Sequence, residues 1–137
     1  MSVILNTKRA LERRLKTAFP AVKIAYPGVA FTAPTEELYM RLQYIVQRPD
    51  DPVIGDRYYR ERITFQVFIM DVIGKGSANA IAKAEQVRDL FYKGWDTLEQ
   101  DSKIYVLRTP QISNEVITSD RLVVPVFIEV VTEVYKD

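Results

Sequence analysis

The chain has 137 residues, of which 19 are basic and 18 acidic, and it contains neither cysteine nor histidine. This composition excludes disulfides, cysteine nucleophiles, zinc sites built on thiolate or imidazole, and Ser-His-Asp triads. The net charge of +1 argues against a dedicated duplex-DNA binder, because such proteins gain affinity mainly by neutralising phosphates. A length of this order and 47% hydrophobic residues predict one globular domain.

The N-terminal segment, residues 3–19, has the apolar periodicity of an amphipathic helix, with Leu11 and Leu15 on the buried face. Pro20 ends the helix, because a proline disfavours helical geometry in the preceding residue. The opposite face is basic and predicts a solvated helix surface, with phosphate contact as the alternative. Its cations are Arg9, Arg13, Arg14 and Lys16.

Two strands follow this helix. Residues 22–26 predict a short strand, and residues 38–47 alternate apolar with polar side chains as a half-buried strand does. The segment between them reads as a loop with a turn at Pro27 and Gly28.

The stretch "RPDDPVIGDRYYRER", residues 48–62, is the least regular part of the chain. It is too long for a tight hairpin turn, and loops of this length in compact domains are usually functional or disordered. Tyr and Arg are enriched at protein interfaces, so the segment is predicted to be a protein-contact surface. Its aspartates, Asp50, Asp51 and Asp56, also offer oxygen ligands to a hard cation, but their spacing matches no calcium loop.

The second half of the chain begins with the strongest predicted strand, residues 62–73, which is apolar on both faces from Val67 onward. Residues 77–98 predict a helix with Ser77 as its N-cap. Its sheet-facing side chains are predicted to be Ile81, Ala84, Val87, Phe91 and Leu98, and Tyr92 and Trp95 are interpreted as core packing rather than a ligand platform.

The last strands are predicted at residues 103–108 and 121–135, with a turn and a further short strand between them. Pro125 lies inside the final strand, where it cannot donate a ladder hydrogen bond, so we expect an edge position or a bulge there. The order of elements predicts an α+β fold: a single, mainly antiparallel or mixed sheet with two helices packed on one face.

The segment "IGKGS", residues 73–77, invites a phosphate-loop interpretation because it joins a strand to a helix. The P-loop pattern requires glycine where Ile69 stands and Ser or Thr where Gly76 stands, and the dinucleotide pattern requires glycine at Asn79. The glycines are therefore interpreted as a sharp turn that needs positive φ, although amides at the helix start can hold an anion weakly.

The order of elements resembles that of tail terminator proteins of long-tailed bacteriophages. The resemblance rests on "RITFQVFIMDVIGKGSANAIAKAEQVRDLF" and on the closing strand with "VVPVFIEVV". In that family a long mobile loop precedes a strand that turns through glycine into a helix ending near "LF". Here the predicted helix continues past Phe91, which departs from the family pattern.

The resemblance implies a structural protein without enzymatic activity, cofactor or metal. Such proteins form a ring, here expected to be a hexamer, that caps the tail tube, ends its polymerisation and presents the head-joining surface. The expected partners are further copies of the chain, the major tail tube protein and the head–tail connector protein, with DNA only as cargo passing through the lumen. No apolar run approaches the ~20 residues that span a membrane, so we expect synthesis in the host cytoplasm and no membrane partner. The resemblance implies a final location in the virion tail or neck.

The resemblance also assigns roles to particular segments. It implies that residues 48–61 form the projecting mobile loop, and the basic face of the first helix is a candidate for lumen or neighbour contacts through Arg9, Arg13 and Lys16. The predicted contacts of the loop to a ring neighbour or the tube are Arg48, Asp50, Asp51, Asp56, Arg57, Tyr58 and Tyr59.

Three alternatives remain from the sequence. The first is another structural protein of the phage neck, such as a head-completion subunit. The second is a small metal-dependent nuclease, with Asp71 near Lys75 and a mate in Glu129 or an acid of the 50–56 loop. The third is a single-strand binder that stacks bases on sheet aromatics, namely Tyr39, Tyr44, Phe65 and Phe68.

Overall fold

A computed structural model describes residues 2–100 and 102–136. The elements in chain order are α1 (Val3–Ala18), β1 (Lys23–Ala25), β2 (Tyr39–Val46), β3 (Tyr58–Val72), α2 (Ala78–Leu90), β4 (Asp96–Glu99), β5 (Ser102–Val106), β6 (Gln111–Ile112), β7 (Val116–Ile117) and β8 (Arg121–Tyr135). The strands of the described residues form a mixed eight-stranded sheet curled into a half-barrel, which confirms the predicted α+β class. No helix among the described residues is both long and apolar enough to cross a membrane.

The sheet has the order β1-β2-β3-β8-β5-β4, and β6 and β7 add to the β5 side of β8. β1 pairs with β2 in parallel, and the other strand pairs among the described residues are antiparallel. The 15-residue strands β3 and β8 pair along their whole length, from Tyr58 opposite Tyr135 to Val72 opposite Arg121. This pair is the axis of the fold, because every other part of the sheet attaches to it.

Both helices pack on one face of this axis. The side chains of β3 and β8 that point to that face alternate along the strands, as the period of two requires, and are buried. The core of the described residues includes Leu11 and Leu15 of α1, Ala84 and Val87 of α2, and Phe65, Val67, Ile69, Val124, Val126 and Ile128 of the axis.

Pro125 lies in the middle of β8, and the register around it is uninterrupted, so the expectation of a bulge was wrong. The carbonyl of Pro125 accepts a hydrogen bond from the Ser113 amide at 2.9 Å, on the side away from β3. In an antiparallel strand the N and O of one residue point to the same side, so the missing N–H falls in the gap between β6 and β7. The proline is tolerated because its nitrogen faces Ser113, directly beyond the end of β6, and the β3–β8 ladder loses no donor.

The second helix is shorter than predicted. It ends at Leu90 with Phe91 as its C-cap, and residues 96–99 form β4 rather than the last helical turn. Gly94 adopts a φ of +89°, which turns the chain so that β4 can pair with β5. The ladder with β5 satisfies backbone groups that a longer helix would have satisfied internally.

This early helix end changes which side chains are buried. Ala84, Val87 and Phe91 are buried as predicted, and Trp95 is 9% exposed although it lies beyond the helix. Leu98 is 71% exposed on β4, and Ile81 and Tyr92 are also exposed, so their assignment to the core was wrong.

Candidate assembly surface

The predicted contact loop is the connection between β2 and β3, and its first part continues the hairpin. The Gln47 amide donates to the Arg62 carbonyl, and Asp50 and Arg60 exchange two backbone hydrogen bonds, each of 2.9 Å. Val46 pairs with Ile63, and Asp50 pairs with Arg60. Three residues lie between these pairs on the β2 side and two on the β3 side, so the β2 side carries one extra residue, as in a β-bulge. The hairpin therefore projects beyond the sheet.

β3 begins at Tyr58 rather than at residue 62, so the irregular part of the connection is shorter than the predicted 48–61. Residues 58–61 pair with Thr132–Tyr135 of β8, and this long-range ladder overrides their loop-like composition. The connection between the two strands is residues 47–57, of which Asp50 forms an isolated bridge with Arg60.

The base of the hairpin is attached to the end of β8. The rings of Tyr58 and Tyr135 lie 4.7 Å apart, and the Tyr58 hydroxyl donates to Glu133 Oε1 at 3.0 Å. Arg60 Nε donates to the same hydroxyl at 3.0 Å, and the Lys136 amide donates to the Arg57 carbonyl at 2.7 Å. Burial, together with Glu133, raises the pKa of Tyr58 against the opposing effect of Arg60.

The tip of the hairpin, residues 51–57, is exposed throughout. It presents the apolar side chains of Val53, 51% exposed, and Ile54, fully exposed, and Gly55 turns the chain with a φ of +104°. Val53 and Ile54 were missing from the predicted contacts, although an adjacent Val-Ile pair among turn residues was a signal available in the sequence. We call residues 51–57 the hairpin tip.

The seven predicted loop contacts fall into two groups. The side chains of Arg48, Asp51, Asp56 and Arg57 are exposed. Those of Asp50, Tyr58 and Tyr59 are half-buried at the base, where Asp50 lies 3.8 Å from Arg62 and Lys136 Nζ lies 5.7 Å from the Tyr59 ring. The first group can meet a partner directly, whereas the second holds the base of the hairpin.

The basic face of α1 lies elsewhere on the surface. Arg9, Arg13 and Lys16 are exposed, and Arg13 forms an ion pair with Glu99 of β4. Arg14, assigned to the same solvated face, instead donates two hydrogen bonds to the Leu90 carbonyl and lies 4.4 Å from the Trp95 ring. Burial lowers the pKa of Arg14. Arg14 is therefore a structural link between the two helices.

The glycine turn lies at the opposite end of β3 from the hairpin tip. Gly74 and Gly76 have φ values of +97° and +76°, which confirms the prediction of a turn that requires positive φ. Ser77 is the N-cap of α2 by position, but its side chain makes no capping hydrogen bond. A pocket of about 250 Å³ opens beside this turn, with walls from Val72, Ile73, Gly74, Gly76, Ser77, Glu115, Ile117 and Leu122.

The residues of the nuclease alternative are not brought together. Asp71 is opposite Leu122 and belongs to the helix-covered face, whereas Glu129 is opposite Thr64 on the other face, seven positions along the strand. The Asp71 carboxylate accepts a hydrogen bond from the Val72 amide at 2.8 Å, and Glu129 pairs with Arg108. Across residues 2–100 and 102–136 there is no group of three or more acidic side chains that could hold a metal.

The aromatics of the base-stacking alternative are also divided between faces. Phe65 is fully buried, and Tyr44 stacks on it at 5.1 Å under α1, so neither offers a ring to a nucleic acid. Tyr39 is buried and Phe68 is half-buried on the other face, where the Arg41 guanidinium lies 4.5 Å from the Phe68 ring. The four rings do not form one exposed platform.

The described residues thus form a curled sheet with two helices on one face and an exposed, apolar-tipped hairpin. A family model described as phage tail terminator protein matches residues 6–129. The chain belongs to this family, which confirms the resemblance seen in its sequence. Membership implies a structural component of the virion tail that completes the tail and interacts with tail and head components.

Comparison with other proteins supports the fold. A solved structure superposes with a TM-score of 0.75 at 23% sequence identity, covering 99% of this chain and 100% of the other. This similarity concerns the fold alone. No match was found among curated proteins.

Proposed function

We propose that this chain forms a hexameric ring that caps the tail tube, ends its polymerisation and presents the surface that joins the head. The observation that carries the proposal is the family match over residues 6–129, which spans the body, the hairpin and the glycine turn. Its partners are further copies of the chain, the major tail tube protein and the head–tail connector protein.

The projecting hairpin supports this proposal. Its base is held by backbone hydrogen bonds on both sides, while its tip exposes two apolar side chains and three charged ones to solvent. An exposed apolar pair has a hydration cost that contact with a partner removes. The hairpin is thus proposed as the main contact of the chain with a ring neighbour or the tube, through Arg48, Asp51, Asp56 and Arg57 around the apolar pair, with Asp50, Tyr58 and Tyr59 at its base.

The charge distribution fits a ring through which DNA passes. The chain has a net charge of +1, so a lumen built from it lacks the strong positive excess that would hold duplex DNA. Arg9, Arg13 and Lys16 are proposed to contact the lumen or a neighbouring subunit, and the pairing of Arg13 with Glu99 lowers the net charge of that face.

The proposal is tested by tail length in particles assembled without this protein. Electron microscopy is expected to show overlong tails without heads, and the wild-type chain supplied in trans is expected to restore length and head joining. A variant with residues 52–55 replaced by Gly-Ser-Gly-Ser tests the hairpin, and Leu98→Ser on the exposed edge strand is the matched control. Tails of normal length that lack only heads would contradict the proposal and favour a head-completion protein.

A further inference from the structure

Two exposed apolar features lie at opposite ends of β3. One is the hairpin tip with Val53 and Ile54, and the other is the pocket beside the glycine turn, which we call the glycine-turn pocket. The apolar walls of this pocket come from Val72, Ile73, Ile117 and Leu122, and Ile117 is 69% exposed. Each feature leaves apolar surface in water that the isolated chain does not cover.

The two features are too far apart to meet within one molecule. The 15 residues of β3 separate them, and a strand rises ~3.3 Å per residue, so the separation along the strand is of the order of 45 Å. Continuous pairing with β8 keeps β3 extended over this length. Any contact between the tip and the pocket must therefore join two molecules.

The sizes of the two features are compatible. An apolar cavity of ~150 Å³ is known to hold a benzene-sized group, so a pocket of about 250 Å³ admits an isoleucine side chain and part of its neighbour. The tip turns at Gly55, a residue without a side chain, directly after the apolar pair. It can enter an open pocket without a change in either fold.

The charges around the two features are complementary. Asp51 and Asp56 flank the apolar pair of the tip, and the exposed Lys75 stands between Gly74 and Gly76, which both line the pocket. Glu115 lines the pocket, and Arg57 is the last residue of the tip. Opposite charges on both sides of an apolar contact favour one orientation of the two molecules.

We propose that the hairpin tip of one copy of this chain inserts into the glycine-turn pocket of the next copy. The contact is head to tail, and contacts of that kind close into a ring when the rotation between neighbours divides the circle. This inference rests on the proposed ring, and it assigns to the glycine turn the role of a receptor for the neighbouring subunit. The occupant of the pocket is thus an apolar side chain of a second copy rather than a phosphate.

Disulfide trapping tests this contact cleanly, because the natural chain has no cysteine. An equimolar mixture of Ile54→Cys and Ile117→Cys chains is expected to give a cross-linked dimer under mild oxidation. The matched control replaces I117C by L98C, since Leu98 is 71% exposed and lies outside the pocket. The doubly substituted chain I54C/I117C is expected to give a ladder of products that ends at a closed ring.

A second measurement does not depend on oxidation. Ile54→Asp and Ile117→Asp are each expected to raise the concentration at which the chain assembles by tenfold or more in sedimentation velocity, whereas Leu98→Asp leaves it unchanged. All three sites are exposed, so circular dichroism is expected to show the same fold in each variant.

The outcomes separate this inference from the proposed function. The contact would be overturned, and the capping function left standing, if rings form although I54C and I117C chains do not cross-link. The same holds if I54C cross-links to L98C as readily as to I117C. Chains that cross-link at 54–117 but leave tail length uncontrolled would support the contact and contradict the capping function. A chain that stays monomeric at every concentration and yields no 54–117 product would also overturn the contact.

Discussion

The hydroxyl oxygens of Thr7 in α1 and Thr132 in β8 lie 2.7 Å apart in a fully buried site. Thr7 also donates to the Val3 carbonyl at 2.8 Å, so Thr132 is the donor to Thr7. One hydrogen bond thus joins the first helix to the central strand across 125 residues of sequence.

We expect the two threonines to respond unequally to substitution. Thr7→Val leaves the Thr132 hydroxyl buried without its acceptor, which costs about 1–3 kcal/mol, whereas Thr132→Val leaves Thr7 bonded to Val3 and costs less. The double variant T7V/T132V is expected to be more stable than T7V alone. Urea denaturation of the four proteins measures this coupling, and strictly additive losses would contradict it.

Arg14 is predicted to matter more to stability than the other cations of its helix. Arg14→Ala removes two hydrogen bonds to the Leu90 carbonyl and the contact with Trp95, and we expect a loss of about 2 kcal/mol. Arg14→Lys keeps the charge but not the two parallel donors, so it recovers only part of the loss. Fluorescence of Trp95, the one tryptophan of the chain, follows unfolding, and Arg9→Ala is the control, expected within about 0.5 kcal/mol of wild type.

Arg121 is predicted to hold the loop before β2. Its side chain is 6% exposed, donates to the carbonyls of Pro34 and Glu37, and lies 4.9 Å from the Tyr39 ring. Arg121→Ala is expected to lose about 3 kcal/mol, because hydrogen bonds from a charged donor are strong and the freed carbonyls lose their partner.

Limited proteolysis checks this role of Arg121. Phe31, whose ring lies 5.1 Å from that of Tyr39, is expected to become a chymotrypsin site in the R121A variant. Lys93→Ala, on the exposed turn after α2, is the control. Resistance of R121A equal to that of K93A would show that the loop is held by other contacts.

The raised pKa of Tyr44 leads us to expect that the protein loses stability in alkali. Burial, and then the hydrogen bond that its hydroxyl donates to Glu12 at 2.6 Å, raise the pKa of Tyr44 well above its ordinary value. The folded protein therefore holds the Tyr44 proton more tightly than the unfolded chain does. The resulting contribution to the free energy of unfolding is complete below pH ~10 and is lost as the pH rises above that value.

Tyr44→Phe isolates this effect. The phenylalanine keeps the stacking on Phe65 but loses the bond to Glu12, at a cost of about 1 kcal/mol near neutral pH. The stability of Y44F is expected to fall less steeply than that of wild type between pH 10 and 11 in urea titrations. The exposed Tyr92→Phe is the control, and parallel slopes for Y44F and wild type would contradict the prediction.

The hairpin residues are expected to separate assembly from stability. Arg48→Ala and Arg57→Ala remove exposed charges near the tip, so the unfolding free energy is expected to change by less than about 0.5 kcal/mol while ring formation weakens. Tyr58→Phe removes hydrogen bonds at the base and is expected to cost about 1 kcal/mol. Sedimentation and urea denaturation measure the two effects. Unchanged assembly of R48A and R57A would remove them from the contact surface.

Local sequence patterns predicted the main strands of this protein, except for the first four residues of β3. The last strand, residues 121–135, was predicted with its observed bounds, and the strand predicted at 38–47 differs from β2 by one residue at each end. The alternation of apolar and polar side chains along a strand has a local cause, because successive side chains point to opposite faces of the sheet. The turn at Gly74 and Gly76 was equally predictable, because only a residue without Cβ adopts positive φ freely.

Long-range pairing decided what these local patterns left open. Residues 58–61 became strand because β8 extends beside them, and residues 96–99 left the helical pattern because β5 offers a ladder. The glycine-turn pocket draws its walls from residues 72–77, 115–117 and 122, segments whose sequence patterns show no relation to each other. Hydrogen-bond partners and pocket walls come from distant parts of the chain, so only the tertiary structure could bring them together.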